Sequence, residues 1–428
     1  MSIGFHSQWR QGTAAERAAF GTSGLALPFF WYETDTGDAY LWNGAWVLTT
    51  AVENVTKTVK AAGGDFTTVQ AAIDWFAGRV ILGSCYIDVD AGIYNEAVVV
   101  DAHLVVPGAS LTLRGDTRTL AGMTWATGCI SNQEGLAGGG TFNAANRCQL
   151  SMNAAGDRIT VSGGTVDPDF DGWVHGDQVL IYGDDGTMYE RAINEINPGG
   201  LGNNVIEITA ALPAGAFPGG GGNMADATAI CLNSNRRIEN AGIALAVDAV
   251  TGFHPEGLTL KSTGNHSALV QNGAAVTGHN LLFYNTTTGS CFYVVTGYAS
   301  ANLDDGATST WGGKYGYNAS TIASIRCNYG VACGQSQYGF QVANMSVIRA
   351  AKPTAINIGS RGYYAATLSL LYATNGTARQ CTNTGYHAWG QSLIYATGTN
   401  ANNNGNGANY NPAVSCAAGN CNAVIYWS

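Results

Sequence analysis

Gly362-Tyr-Tyr-Ala365 is followed by Ser369-Leu-Leu-Tyr-Ala-Thr374, and 23 residues later the same order returns as Gly385-Tyr-His-Ala388 and Ser392-Leu-Ile-Tyr-Ala-Thr397. One period upstream stand Gly339-Phe340 and Ser346-Val-Ile-Arg349; one further, Gly316-Tyr317 and Ala323-Ser-Ile-Arg326. Leu258-Thr-Leu260 matches Leu281-Leu-Phe283 in the same way, and Ser267-Ala-Leu269 matches Ser290-Cys-Phe292. The units are short, β-branched and aromatic, so they read as strands. A period of 23 is too short for helix-pair repeats and lacks the leucine-rich consensus. It fits one coil of a right-handed parallel β-helix, with coils stacked about 4.8 Å apart. Roughly 200 residues of such repeat give about nine coils and a rod of about 40 Å. The expected fold is therefore all-β.

Composition agrees. Of 428 residues only 11% are charged and 58 are Gly, against roughly 25% and 7% in average chains. A helical protein would carry more Lys, Glu and Arg on its solvated faces. The net charge of −10 argues against nucleic acid as a partner. No apolar run approaches the roughly 18 residues of a membrane span, and the first residues show no secretory h-region. Neither membrane insertion nor a secretory route is expected from these features. The 10 cysteines include no CxxC pair, so they read as free and buried, apart from Cys416 and Cys421, which could close a small loop. All 29 acidic residues lie at or before Asp305. Residues 306–428 hold Lys314, Arg326, Arg349, Lys352, Arg361 and Arg379 and no carboxylate. That positive balance would suit an acidic glycan, and any mechanism needing two carboxylates must find them upstream or in another chain.

Five regions are expected. Residues 1–50 form a small β module: Phe29-Phe-Trp-Tyr-Glu33, Ala39-Tyr-Leu-Trp42 and Ala45-Trp-Val-Leu48, with Asn43-Gly44 as hairpin turn. Residues 51–65 read as a linker. Residues 66–146 hold an amphipathic helix at Thr67–Ala77, capped by Asp65 or Thr67, and the first coils. The helix is placed to protect the open strand edges of the first coil. Residues 147–226, richer in acids and in alternating runs, read as an inserted small β-barrel. Residues 227–428 hold the main coils and a C-terminal cap.

Two stretches carry resemblances. Gly64-Asp-Phe-Thr-Thr-Val-Gln-Ala-Ala-Ile-Asp74, with Gly92-Ile-Tyr-Asn-Glu-Ala-Val98, resembles the opening of pectin-lyase-like β-helix proteins. Phe29 to Trp46 (FFWYETDTGDAYLWNGAW) resembles the N-terminal module of bacteriophage tail fibres and tailspikes, and GYHAWGQSLIYATGT near the C-terminus is similar to tail-protein coils. The inserted barrel is not covered. The Gly-x-x-Asp-Phe-Ile-Phe-Gly signature of pectin methylesterases is absent, which sets esterase chemistry aside. The resemblance implies a homotrimer in the virion. Residues 1–50 would join it to tail or adaptor proteins, and the β-helix would recognise host cell-surface polysaccharide, lipopolysaccharide O-antigen or capsule. Many such proteins also depolymerise it. The competing readings are a free secreted polysaccharide-degrading enzyme and a non-catalytic structural adhesin.

Sugar binding needs flat apolar faces with polar groups beside them. The candidates are Trp311, Tyr298, Tyr315, Tyr338, Arg361, Tyr364 and Trp389. Tyr315/Tyr338 and Tyr317/Phe340/Tyr363/Tyr386 recur at the 23-residue step, so they read equally as stacked ladders in a core or trimer interface. Trp311 is out of step and reads as a loop residue. Asp304-Asp305 lie in Ala301–Thr310, which breaks the coil frame and is expected to bulge. With Glu256, two periods before residue 302, they are the candidate catalytic carboxylates of a glycoside hydrolase. The plainer reading is an Asp-rich turn. A lyase would instead use a Tyr or His base and a cation: Arg361 with Tyr363 or Tyr364, or Arg379 with His387. Hydrolysis is the favoured chemistry of the two, and catalysis itself stays open. Asp167-Pro-Asp-Phe-Asp-Gly172 copies half a Ca²⁺ loop, but its twelfth position is Gln178. No metal and no cofactor is expected.

Overall fold

A computed structural model describes residues 8–21, 29–35, 39–42, 46–101, 103–115, 129–131, 149–162, 174–199, 205–224, 229–233, 235–303, 308–397, 400–402, 410–412 and 424–426. The chain winds into a right-handed parallel β-helix of about 13 turns, with roughly 23 residues per coil. Three parallel sheets form its faces. Face 1 has 11 strands, from Thr56–Val59 to Val424–Tyr426. Face 2 has nine, from Gly92–Asn95 to Asn400–Asn402, and face 3 has nine, from Val98–Val100 to Tyr410–Pro412. One coil runs Leu370–Thr374 on face 1, Thr377–Arg379 on face 2 and Thr384–Trp389 on face 3.

Stacking explains the repeat residue by residue. Tyr317, Phe340, Tyr363 and Tyr386 are partners in the parallel register, fully buried. Their rings stack at 4.9, 4.9 and 4.6 Å. The hydroxyls are satisfied locally: Tyr363 donates to the Pro353 carbonyl at 2.8 Å and Tyr317 to that of Thr308 at 2.8 Å. The preceding glycines have a steric cause. A Cβ on Gly339 would lie 2.8 Å from the Gly362 carbonyl oxygen, and one on Gly362 would lie 2.9 Å from that of Gly385. The repeated serines make a third column. Ser392 Oγ accepts from Ser369 N, Ser369 Oγ from Ser346 N, and Ser346 Oγ from Ala323 N, at 3.2, 3.3 and 3.0 Å.

The helix spans Val69–Phe76 and buries Val69, Ala72, Ile73 and Phe76 in the same core as the coils. Its N-cap is Thr68, whose side chain accepts from Ala71 N. Asp65, expected as a cap, bonds to Thr58 instead. Glu96 reaches across to accept from Val69 N and Gln70 N at 2.7 and 2.9 Å, favoured by the helix dipole. Residues 51–65 are not a linker: Ala51–Val52 and Thr56–Val59 pair with Val80–Ile81 and Ser84–Val89. The N-terminal strands Phe29–Glu33, Ala39–Trp42 and Trp46–Thr49 are antiparallel as read. Gln8–Gly12 adds a parallel fourth strand, and a helix at Ala14–Ala19 starts from a Thr13–Glu16 capping box. An eight-stranded antiparallel sheet interrupts the coils. It includes Cys129–Ser131 and Ala229–Asn233, beyond the 147–226 limits read from sequence. Cys85, Cys291, Cys327, Cys333 and Cys381 are buried.

The glycine column gives a test. Gly339→Ala forces a methyl against backbone and against the Ala332 and Ala355 side chains at 3.2 Å. It is expected to destabilise the fold by about 1–3 kcal/mol. Gly21→Ala, with nothing within 4 Å, is expected to leave the unfolding midpoint unchanged. Denaturation of both variants checks this.

Candidate functional site

Successive strand residues point to opposite faces, so the residue after each buried ring points outward. On face 3 that row is Asn318, Gln341, Tyr364 and His387. Tyr315 and Tyr338 belong to the row beside it. Together they make a solvent-side ladder. Tyr315 stacks on Tyr338 at 5.6 Å, Tyr338 on Tyr364 at 4.4 Å, and Tyr364 on His387 at 5.6 Å. The Arg361 guanidinium lies over the Tyr338 and Tyr364 rings at 5.6 and 5.2 Å, and its Nη1 donates to Tyr338 Oη at 3.1 Å. Lys314 Nζ lies 5.1 Å from the Tyr315 ring centre. These are cation–π contacts, and each ring is only partly covered.

The site carries spare hydrogen-bonding capacity. Asn318 Oδ1, Gln341 Oε1, Arg361 Nε, Thr384 Oγ1 and His387 Nδ1 are buried atoms with no partner among the described residues. Burial, and secondly the Arg361 charge, hold His387 down at about 4, so the ring is neutral at pH 7. Burial and the neighbouring Tyr338 push Tyr364 up, with Arg361 opposing. The cluster sets two cations and partly covered, stacked tyrosine rings on one face, with buried amide oxygens beneath them. That combination binds flat, hydroxylated or anionic ligands.

The other candidates fall elsewhere. Tyr298 is 78% exposed at the corner between faces 3 and 1, and Trp389 is 44% exposed at the end of Thr384–Trp389. Neither makes a ring contact with the ladder among the described residues. Tyr363, offered with Arg361 as a lyase pair, is inside the core. Arg379 lies buried on face 2, and it is Arg361 whose charge acts on His387. Glu256 is half-buried on face 1, beside Arg114 in register and bridged to His279, so it is not part of the ladder. Asp304 and Asp305 lie outside the described residues, as does Asp167–Gly172.

Trp311 corrects the sequence reading most clearly. It is not on a loop. It sits in Thr308–Gly312, between Tyr284 and Cys333 in the face 2 register, and is fully buried. Leu180 of the antiparallel sheet covers it together with Leu282, Tyr284, Val331 and Cys333, while Tyr182 and Met188 pack alongside. Beside this apolar seat, Glu190 of that sheet pairs with Arg237 and with Lys261 of face 2, at 2.9 Å for Lys261, and Glu239 pairs with both cations. Sequence reasoning saw neither this contact nor Lys314, Asn318 and Gln341 at the ladder. Counting one residue on from the Tyr317/Phe340/Tyr363/Tyr386 column would have found Asn318 and Gln341.

No family model and no curated protein sequence matches this chain. Solved structures with a similar chain path include the tailspike protein gp49 of Pseudomonas phage LKA1, at 11% identity and TM-score 0.18, covering 82% of this chain and 53% of that one. What the structure itself shows is the parallel β-helix. Further matches include a glycoside hydrolase, at 8% identity and TM-score 0.22 over 84% of this chain and 96% of that one, and the gp54 tailspike of Acinetobacter baumannii bacteriophage AP22, solved with A. baumannii capsular saccharide, at 8% identity and TM-score 0.18 over 77% and 68%. The chain spans about half the length of the LKA1 tailspike.

The His387 environment predicts a pH response. Its folded value lies below its ordinary 6.5, so the unfolded chain takes up the proton first as pH falls. The stabilisation is complete above about 6.5 and is lost as pH drops through about 4. His254 and His266, also lowered by burial, act in the same direction. Melting temperature is expected to fall across this window, and less steeply in His387→Gln. Proton NMR titration of wild type should show one imidazole still neutral near pH 5.

Proposed function

We propose that this protein is a phage tailspike that binds a surface polysaccharide of its bacterial host along face 3. The observation that carries the reading is the solvent-side ladder Tyr315–Tyr338–Tyr364–His387 with Arg361 across it. The partly covered rings of Tyr315, Tyr338 and Tyr364, in a row along one sheet, suit successive sugar rings of a polymer. In this reading the protein is a homotrimer in the virion tail, and residues 1–50 attach it to tail or adaptor proteins. The aromatic load of that module, with Trp42 on Trp46 at 5.2 Å, supports a docking role.

The titration behaviour favours binding over elimination at the ladder. A histidine held near 4 is a weak base, and a tyrosine pushed up stays protonated at pH 7. Hydrolysis by Glu256, which lies on face 1, with Asp304 and Asp305 is a separate proposal. There the Glu256–His279 bridge puts successive coils in step toward Asn302.

Binding of the purified protein to host lipopolysaccharide and capsule tests the main reading. Tyr364→Ala is expected to weaken binding at least about tenfold, as loss of a central aromatic contact does. Tyr372→Ala, in the Tyr372–Tyr395 stack on face 1, is expected to leave it unchanged. Equal binding by both variants would overturn the assignment. New reducing ends that disappear in Glu256→Gln would establish cleavage.

A further inference from the structure

Arg361 is the group the ladder does not account for. Its Nη1 is used by Tyr338, and two ring faces share its charge. Its Nε is buried with no partner, and among the described residues it forms no ion pair. The coils from residue 306 onward contain no carboxylate, so its own part of the chain cannot supply a counter-ion. Arg361 is half-buried, and a partly desolvated guanidinium without an anion still has charge and donors to offer a ligand. Around it the geometry is one-sided. His387 Nδ1 and Thr384 Oγ1 are also partnerless, and Thr384 is Arg361's neighbour in the parallel register. Lys314 adds a second cation beside Tyr315. The upstream half behaves in the opposite way: Arg237 and Lys261 are both matched by Glu190 and Glu239.

We propose that the Arg361 cluster is an anion subsite, and that the glycan this face takes carries carboxylate sugars. One carboxylate oxygen would accept from Arg361 and the sugar ring would lie against Tyr338 or Tyr364. The planar fork of Arg suits a carboxylate better than a point charge does. The inference rests on the proposal that face 3 binds glycan, and it adds the chemical class. Lys314 places a second positive charge about two coils away along the same ladder, roughly 10 Å. A polymer with repeated carboxylates meets both charges, whereas a neutral one meets neither.

The test uses the full chain and calorimetric binding of oligogalacturonate, oligomannuronate, oligoguluronate and hyaluronan oligomers. Each is paired with its carboxyl-reduced form, and maltohexaose is the neutral control. At least one acidic oligomer is expected to bind. Carboxyl reduction is expected to weaken it by about tenfold or more, the effect of removing one charge-assisted hydrogen bond. Arg361→Gln should reproduce that loss, while Arg349→Gln, on face 1, should not. The carboxyl-reduced ligands make the result independent of how well the variant folds. Equal binding of acidic and reduced oligomers would overturn the acidic class and leave the glycan reading standing. Failure of every oligomer, together with failure to bind host lipopolysaccharide and capsule, would overturn both.

Discussion

The parallel hydrogen-bonded register between coils is the constraint from which the rest of this structure follows. In it, each residue lies over its counterpart one period earlier, so a side chain is judged by whether it can stack on its own kind. Tyr, Phe, Tyr and Tyr from four coils make the inner ladder. Such ring pairs contribute about 0.5–1.5 kcal/mol each beyond burial. Ser hydroxyls bond from coil to coil, and Gly is required wherever one coil's carbonyl approaches the next. The register also overrides local preference. At the corner between faces 3 and 1, Thr321-Ile322, Asn344-Met345 and Thr367-Leu368 are all held at φ near +55 to +62. For side chains other than Gly this costs about 1–2 kcal/mol per residue. It is offset in part because the N–H of Ile322, Met345 and Leu368 each meets a carbonyl of the next coil, as Met345 N does that of Thr367 at 3.0 Å.

The same rule decides what was legible in the sequence. Residues that stack on their own kind repeat, so the fold, the coil length and the inner ladder could be read from Gly316 to Thr397. The corner residues do not advertise their conformation: Ile, Met and Leu are poor markers of a left-handed turn. Trp311 misled because Leu281 pairs with Thr308, 27 residues on, while Ser309 pairs with Val331 only 22 on. These unequal coils break the 23-residue count, yet Trp311 pairs in register with Tyr284 and Cys333. What hides it from water comes from residues 178–188, far away in sequence, and no local pattern announces that. The Thr13–Glu16 capping box is different: that signal was present in the sequence and was not used.

The candidate site was half legible for a related reason. Tyr315, Tyr338, Arg361 and Tyr364 stand out because they are aromatic or charged and partly periodic. Whether a ring faces in or out is a matter of parity along the strand. Tyr338 stacks on Tyr364 although they are not register partners. Sequence alone named Tyr364 for sugar contact and offered Tyr363 beside it only as an alternative lyase base; the strand geometry puts Tyr363 in the core.

Charge placement links the two halves of the molecule. In a chain whose 29 acidic residues all lie at or before Asp305, upstream cations such as Arg114, Arg158, Arg237 and Lys261 are paired within the fold, and the antiparallel sheet is seated by such a cluster over an apolar patch. Once partnered, those cations have little left to offer a ligand. Downstream, stacking fills the interior with uncharged rings and Ala, so the fold needs no carboxylate to hold its coils together. Arg361 and Lys314 are therefore left against aromatic faces, which stabilise a cation by only about 0.5–2 kcal/mol and do not neutralise it. A rigid sheet with unneutralised charge, exposed ring faces and unused hydrogen-bonding atoms is already arranged before any ligand arrives. Little conformational entropy remains to be lost on binding.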